Sequence, residues 1–114
     1  VINREQVVRE IGVLVDEKPD FVYAPPSTWQ LCSYAHETGD GLISGCIVGQ
    51  WAHRFHGVSL DEMHRYEGKP ADEVIPDLLW GVDHAALAFL CAVQHKQDEG
   101  QAWSVAFAYA QDVE

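Results

Sequence analysis

The amino-acid sequence predicts an α+β fold, with four or five helices packed around a small β-hairpin in one domain spanning 1–114. Three observations predict it. Apolar residues recur at helical spacing in several separate windows. Two glycines bracket an Asp between short extended runs, and 114 residues suffice for one core. Hydrophobic residues at 47% and charged residues at 22% belong to a globular chain rather than a disordered one. No internal repeat, low-complexity tract or linker divides it. Val1 stands where an initiator Met would, which reads as a processed or trimmed N-terminus.

The first helix is expected after Asn3, a good N-cap, with Gln6 placed three residues on as in a capping box. Val7, Val8, Ile11, Leu14 and Val15 fall within about 120° on a helical wheel, a stripe for a core. Lys18-Pro19-Asp20 stops it. Phe21-Val22-Tyr23 is short and apolar and ends at Pro25-Pro26. The stretch 29–36 reads as a strand, and the turn Glu37-Thr38-Gly39-Asp40-Gly41 offers the positive φ angles a hairpin needs. Leu42-Ile43-Ser44 is the expected return strand.

A second helix is expected from Ser44 or Gly45 to Gly57, with a stripe of Ile47, Val48, Trp51, Ala52 and Phe55. Ser59-Leu60-Asp61-Glu62 is a capping box, so a short helix runs to Tyr66 and ends at Gly68. Lys69-Pro70 opens a looser stretch, in which Pro76 reads as a helix N1 or a turn residue. The longest helix spans 83–98, capped by Asp83 and closed by Gly100. Leu87, Phe89, Leu90, Cys91 and Val93 cover much of its circumference, so it is expected at the centre. A last amphipathic helix covers 103–110.

Charge narrows the function. Eighteen acids against seven bases give a net charge of −11, which argues against direct nucleic-acid binding, since each phosphate contact needs Lys or Arg. No apolar run approaches the roughly 20 residues that span a bilayer, so no membrane is expected. Three cysteines at irregular spacing, Cys32, Cys46 and Cys91, suit a reducing cytoplasm better than a disulfide framework. Seven of the acids (Asp61, Glu62, Glu67, Asp72, Glu73, Asp77 and Asp83) lie close together in sequence, with only Arg65 and Lys69 among them. Such a run is ordinarily a solvated face. Its functional reading is a docking surface for a basic partner, or mimicry of the DNA backbone.

Two further features bear on chemistry. Cys32 and His36 share a face of the expected strand, while Cys46, Gln50 and His53 fall within about 60° on the next helix. Cys and neutral His are zinc's preferred ligands, and Cys46 near a helix N-terminus could be an activated thiol. No paired C-x₂₋₄-C knuckle accompanies them, however, and no nucleophile signature does. A space-filling thiol is the better reading of each Cys. No catalytic residue, metal or cofactor is assigned, and no enzyme is predicted. Of four tryptophans, Trp51 and Trp103 sit on apolar stripes and belong to the core. Trp29 and Trp80 flank irregular segments and are candidate partner anchors.

Three pieces carry a resemblance. Cys32-Ser33-Tyr34-Ala35-His36, then Gly45-Cys46-Ile47-Val48-Gly49-Gln50 with His53-Arg54 and Gly57-Val58, and finally Gln94-His95-Lys96-Gln97-Asp98-Glu99-Gly100 with Trp103 resemble a group of small acidic proteins encoded by actinobacteria and their bacteriophages. The chain departs from that pattern at His56, which stands between Phe55 and Gly57. The group carries no established activity and so lends no catalytic residues. The resemblance implies a cytoplasmic protein of phage or actinobacterial origin that binds host factors.

The sequence thus points to a small, acidic, non-enzymatic interaction protein. Its expected contact residues are Trp29, Trp80, Asp72, Glu73 and Asp77, and its expected partner is a protein, for which the acidic run suits a basic one. A homodimer would be a further way to cover leftover apolar surface. The alternative is a zinc-stabilised or thiol-dependent module built on Cys32, His36, Cys46 and His53.

Overall fold

The structure is a computed structural model and describes residues 1–23, 34–38, 41–66, 69 and 71–112, with the backbone alone at 35–38 and 41–44. It corrects the α+β expectation. The described chain is mostly helical, with six α-helices: α1 (Arg4–Glu17), α2 (Ile47–His56), α3 (Leu60–His64), α4 (Ala71–Leu78), α5 (His84–Asp98) and α6 (Trp103–Gln111). Two four-residue segments, Ala35–Thr38 and Gly41–Ser44, pair antiparallel with Ala35 opposite Ser44. They form no layer for helices to surround. A two-stranded ladder of four residues a side is too short to organise a domain, so helix-on-helix packing does so instead. The expected turn residues Gly39 and Asp40 lie outside the described residues.

Local chemistry explains where the helices begin and end. At α1 the Asn3 side chain accepts from the Gln6 backbone N–H at 2.8 Å. The Gln6 side chain turns instead to Glu10, so the capping box is half made. Val7, Ile11, Leu14 and Val15 are the buried stripe of α1. Helix α2 starts two or three residues later than its sequence suggests. Ser44 is held in strand pairing, and the Gly45 N–H donates to the Tyr34 carbonyl at 3.0 Å, so the helix waits for Cys46 as N-cap. It ends on Gly57, whose φ of 66° suits a residue without a Cβ. Ser59 caps α3 through the Glu62 N–H, and Asp83 caps α5 through the Ala86 N–H.

Helix α4 overturns the looser reading of its stretch, because Pro76 lies inside it. A proline there removes one donor and crowds the preceding turn. Burial of Ala71, Val74 and Ile75 on one face outweighs that cost.

The long helix α5 is the hub, touching α1, α2, α4 and α6. Around it lie Trp51, Met63, Ile75, Phe89, Leu90 and Trp103, all with almost no exposure. A side chain of this kind contributes about 1.5–3 kcal/mol when fully buried. One contact is close enough to dictate a residue. A Cβ on Gly49 would stand 2.2 Å from the Tyr34 carbonyl oxygen, so only glycine fits where α2 crosses that backbone.

Two buried glutamines on α5 hold other helices by their ends. The Gln97 Oε1 accepts from the Ile47 N–H at 2.8 Å, at the start of α2, and from the Trp103 indole at 3.2 Å. The Gln94 Oε1 accepts from the Ala71 N–H at 2.9 Å, at the start of α4. Its amide donates to the Tyr34 hydroxyl at 2.9 Å, which in turn donates to the Lys69 carbonyl. Neither α2 nor α6 has a side-chain cap from its own N-cap residue. The α6 donors Trp103 N–H and Ser104 N–H reach the carbonyls of Phe21 and Pro19. Distant groups therefore replace local caps.

Candidate functional site

The amphipathic pattern of α4 builds the outward surface. With Ala71, Val74 and Ile75 turned inward, Asp72, Glu73, Pro76 and Asp77 are left exposed on the other side. Glu73, Pro76 and Asp77 follow i, i+3, i+4 spacing, and Trp80 falls at i+7, just past the last helical residue. The chain then turns at Gly81, with φ 84°, into a parallel bridge between Ile2 and Val82. The Ile2 N–H donates to the Gly81 carbonyl at 2.7 Å and the Asp83 N–H to the Ile2 carbonyl at 2.9 Å. This bridge pins the backbone on both sides of Gly81 and leaves the Trp80 side chain in solvent. Trp80 is 96% exposed, against 0% for Trp51 and 1% for Trp103.

The electrostatics of this surface are one-sided. Among the described residues no salt bridge joins Asp72, Glu73 or Asp77 to a base. Asp61 and Glu62 on α3 are also exposed, whereas Asp83 serves as the α5 cap. Of the five expected contact residues, the structure thus brings Trp80, Asp72, Glu73 and Asp77 onto or beside one helix. Trp29 lies outside the described residues.

The Cys/His set falls only in part within the described residues. Cys32 lies outside the described residues, and of His36 only the backbone is described. Cys46 is fully buried at the start of α2. His53 is exposed, and its Nδ1 lies 2.9 Å from the Val58 carbonyl. Among the described residues no group of three His, Cys, Asp or Glu could hold a metal. Burial pushes the Cys91 thiol up, Asp72's negative charge adds to it, and a backbone hydrogen bond from Asp72 opposes it weakly. Cys91 therefore stays a protonated thiol rather than a nucleophile.

One polar node was not foreseen. The Glu10 Oε1 accepts from the Trp51 indole at 2.9 Å and lies 2.8 Å from the His56 Nε2, while Oε2 accepts from Gln6 at 3.2 Å. Burial pushes the Glu10 carboxyl up, but the hydrogen bonds from His56, Trp51 and Gln6 together outweigh it and hold the group below its usual range. The His56 ring also leans on Trp51, with centroids 4.6 Å apart. The node ties α1 to α2, beside a two-pronged Arg54–Glu17 pair at 2.7 and 2.8 Å. Its one sequence signal is Glu10 on the polar side of α1, which looks like any solvated acid.

No protein family, curated protein or solved structure matches the chain. Among the described residues no helix is long and apolar enough to cross a membrane.

Proposed function

We propose that the chain is a small non-enzymatic interaction protein, which binds another macromolecule through Trp80 and the acidic face of α4. The observation that carries this reading is the 96% exposure of Trp80. An indole left in water forgoes a large burial gain, and indoles recur among the residues that dominate binding energies. Asp72, Glu73 and Asp77 on the preceding helix add exposed carboxylates that no described salt bridge neutralises, which favours a protein partner over a nucleic acid. A cytoplasmic setting, and a host or phage protein as the partner, belong to the same reading. They rest on the thiols and on the resemblance to phage and actinobacterial proteins.

The test is capture from actinobacterial lysate on the immobilised chain, after nuclease treatment, at low and moderate salt. A specific protein held by the natural chain is expected to be lost with Trp80→Ala. It is also expected to be lost with Asp72→Asn/Glu73→Gln/Asp77→Asn, both variants having unchanged far-UV circular dichroism. Retention of that protein by the triple variant, with unchanged salt dependence, removes the acidic face from the interface.

A further inference from the structure

The exposed indole and the carboxylates beside it also specify the chemistry of what covers them. We infer that the occupant is an arginine-bearing basic protein segment, with a guanidinium lying flat on the Trp80 ring and hydrogen-bonded to Asp77 or Glu73. This rests on the docking reading above and goes further by naming the group recognised.

The argument runs through what each kind of partner would do to this face. An apolar partner would cover Trp80 but strip water from Asp77 and Glu73 without replacing it, a costly arrangement for unpaired carboxylates. A phosphate-bearing partner meets the repulsion of three exposed carboxylates. A Lys ammonium pairs with the acids as a point charge, yet holds its water tightly and lacks a flat surface to lay on the indole. A guanidinium does both tasks, because it is planar, weakly hydrated and presents a fork that fits a carboxylate. Asp77 precedes Trp80 by three residues, so backbone reach keeps the two within about 10 Å and within span of one arginine side chain.

Contacts between a cation and an aromatic ring recur within the chain, from lysine as well as arginine, the shortest being Lys96 over Tyr109 at 4.5 Å. The Arg4 guanidinium stands over the Phe89 ring and that of Arg54 over Phe55, each at 5.4 Å. Lys18, Lys69 and Lys96 lie over Phe21, Tyr66 and Tyr109. Among the described residues no cation stands over Trp80, although indole is the strongest of these acceptors.

The probes are octa-arginine and octa-lysine peptides, titrated into the full chain at about 50 and 150 mM salt. Affinity is read by calorimetry and the Trp80 indole N–H by NMR, assigned by its loss in Trp80→Phe. Octa-arginine is expected to bind about threefold or more tighter than octa-lysine and to shift the Trp80 indole signal. Trp80→Ala abolishes the preference, so that the two peptides bind alike. The triple acid variant weakens both peptides and flattens their salt dependence. Equal binding of the two peptides to the natural chain overturns the inference, as does a preference that survives Trp80→Ala or an indole signal that stays still. If the peptides fail in this way while the lysate partner still depends on Trp80, docking stands and arginine recognition falls. If neither depends on Trp80, both fall.

Discussion

Asp98 shows how a single side chain can make this fold sensitive to acidity. It is the last residue of α5 and accepts a hydrogen bond from the Gln97 amide at 3.1 Å. Burial pushes its carboxyl up to about 6, against weaker opposing pulls from Gln97 and His95. The folded chain therefore holds this proton more tightly than the unfolded chain, whose value is 3.8. The stabilising contribution is complete below the unfolded value and is lost as pH rises through about 6. Asp98→Asn removes the titration. Solvent screening of this partly open carboxylate reduces the effect to about 1 kcal/mol, so the variant is expected to be more stable by about that much at pH 7. The two chains converge near pH 3.5. Denaturant titration across pH 3.5–8 measures it, and a pH-independent difference would contradict the assignment.

At the scale of elements, α5 governs where α2 and α4 begin. Gln97→Leu leaves the Ile47 N–H and the Trp103 indole without their acceptor, and Gln94→Leu does the same to the Ala71 N–H. Each substitution is expected to cost about 1–3 kcal/mol, with Gln97 the more damaging because two donors lose one oxygen. Chemical denaturation ranks them, and a neutral Gln97→Leu would show that water or another acceptor replaces the amide. This clamp was illegible in the sequence, where Gln94 and Gln97 stand among the polar residues that end the 83–98 helix and look solvated. The helices themselves were legible, because Asn3, Ser59 and Asp83 are local caps and the stripes of α1 and α2 need only neighbouring residues. The central place of α5 was legible from its nearly continuous apolar circumference, whereas the weight given to the hairpin was misjudged for the opposite reason. A Gly-Asp-Gly turn signals pairing but carries no information on how much area the paired segments bury. Helix α4 was read as loose because the rule against interior proline is local, while the burial of Val74 and Ile75 that overrides it depends on α5. At the candidate surface, Trp80 was legible from its irregular flank. Its exposure follows from the Ile2–Val82 bridge, which joins residues far apart in sequence.

For the whole molecule, a net charge of −11 is held within extents of 38 × 30 × 24 Å. Many acids then lie within one another's reach at low ionic strength. Raising salt from about 10 mM to about 150 mM shortens the screening length from about 30 Å to about 8 Å, which relieves this repulsion. The melting temperature is expected to rise by a few degrees over that range. The rise should be smaller for the triple variant of α4, which carries three fewer negative charges. Differential scanning calorimetry at fixed pH decides it, and a melting temperature that falls with salt would mean attractive pairs outweigh the net charge.

The position of α1 has a consequence for synthesis on the ribosome. Its buried stripe of Val7, Ile11, Leu14 and Val15 is covered in the finished fold by α2, α5 and α6. Helix α5 begins about 70 residues after α1 ends, and at roughly 5–20 residues per second that is a delay on the order of ten seconds. Helix α2 arrives sooner and can cover part of the stripe, but the part that α5 and α6 cover stays open for the whole delay, on a 14-residue segment that is only marginally helical by itself.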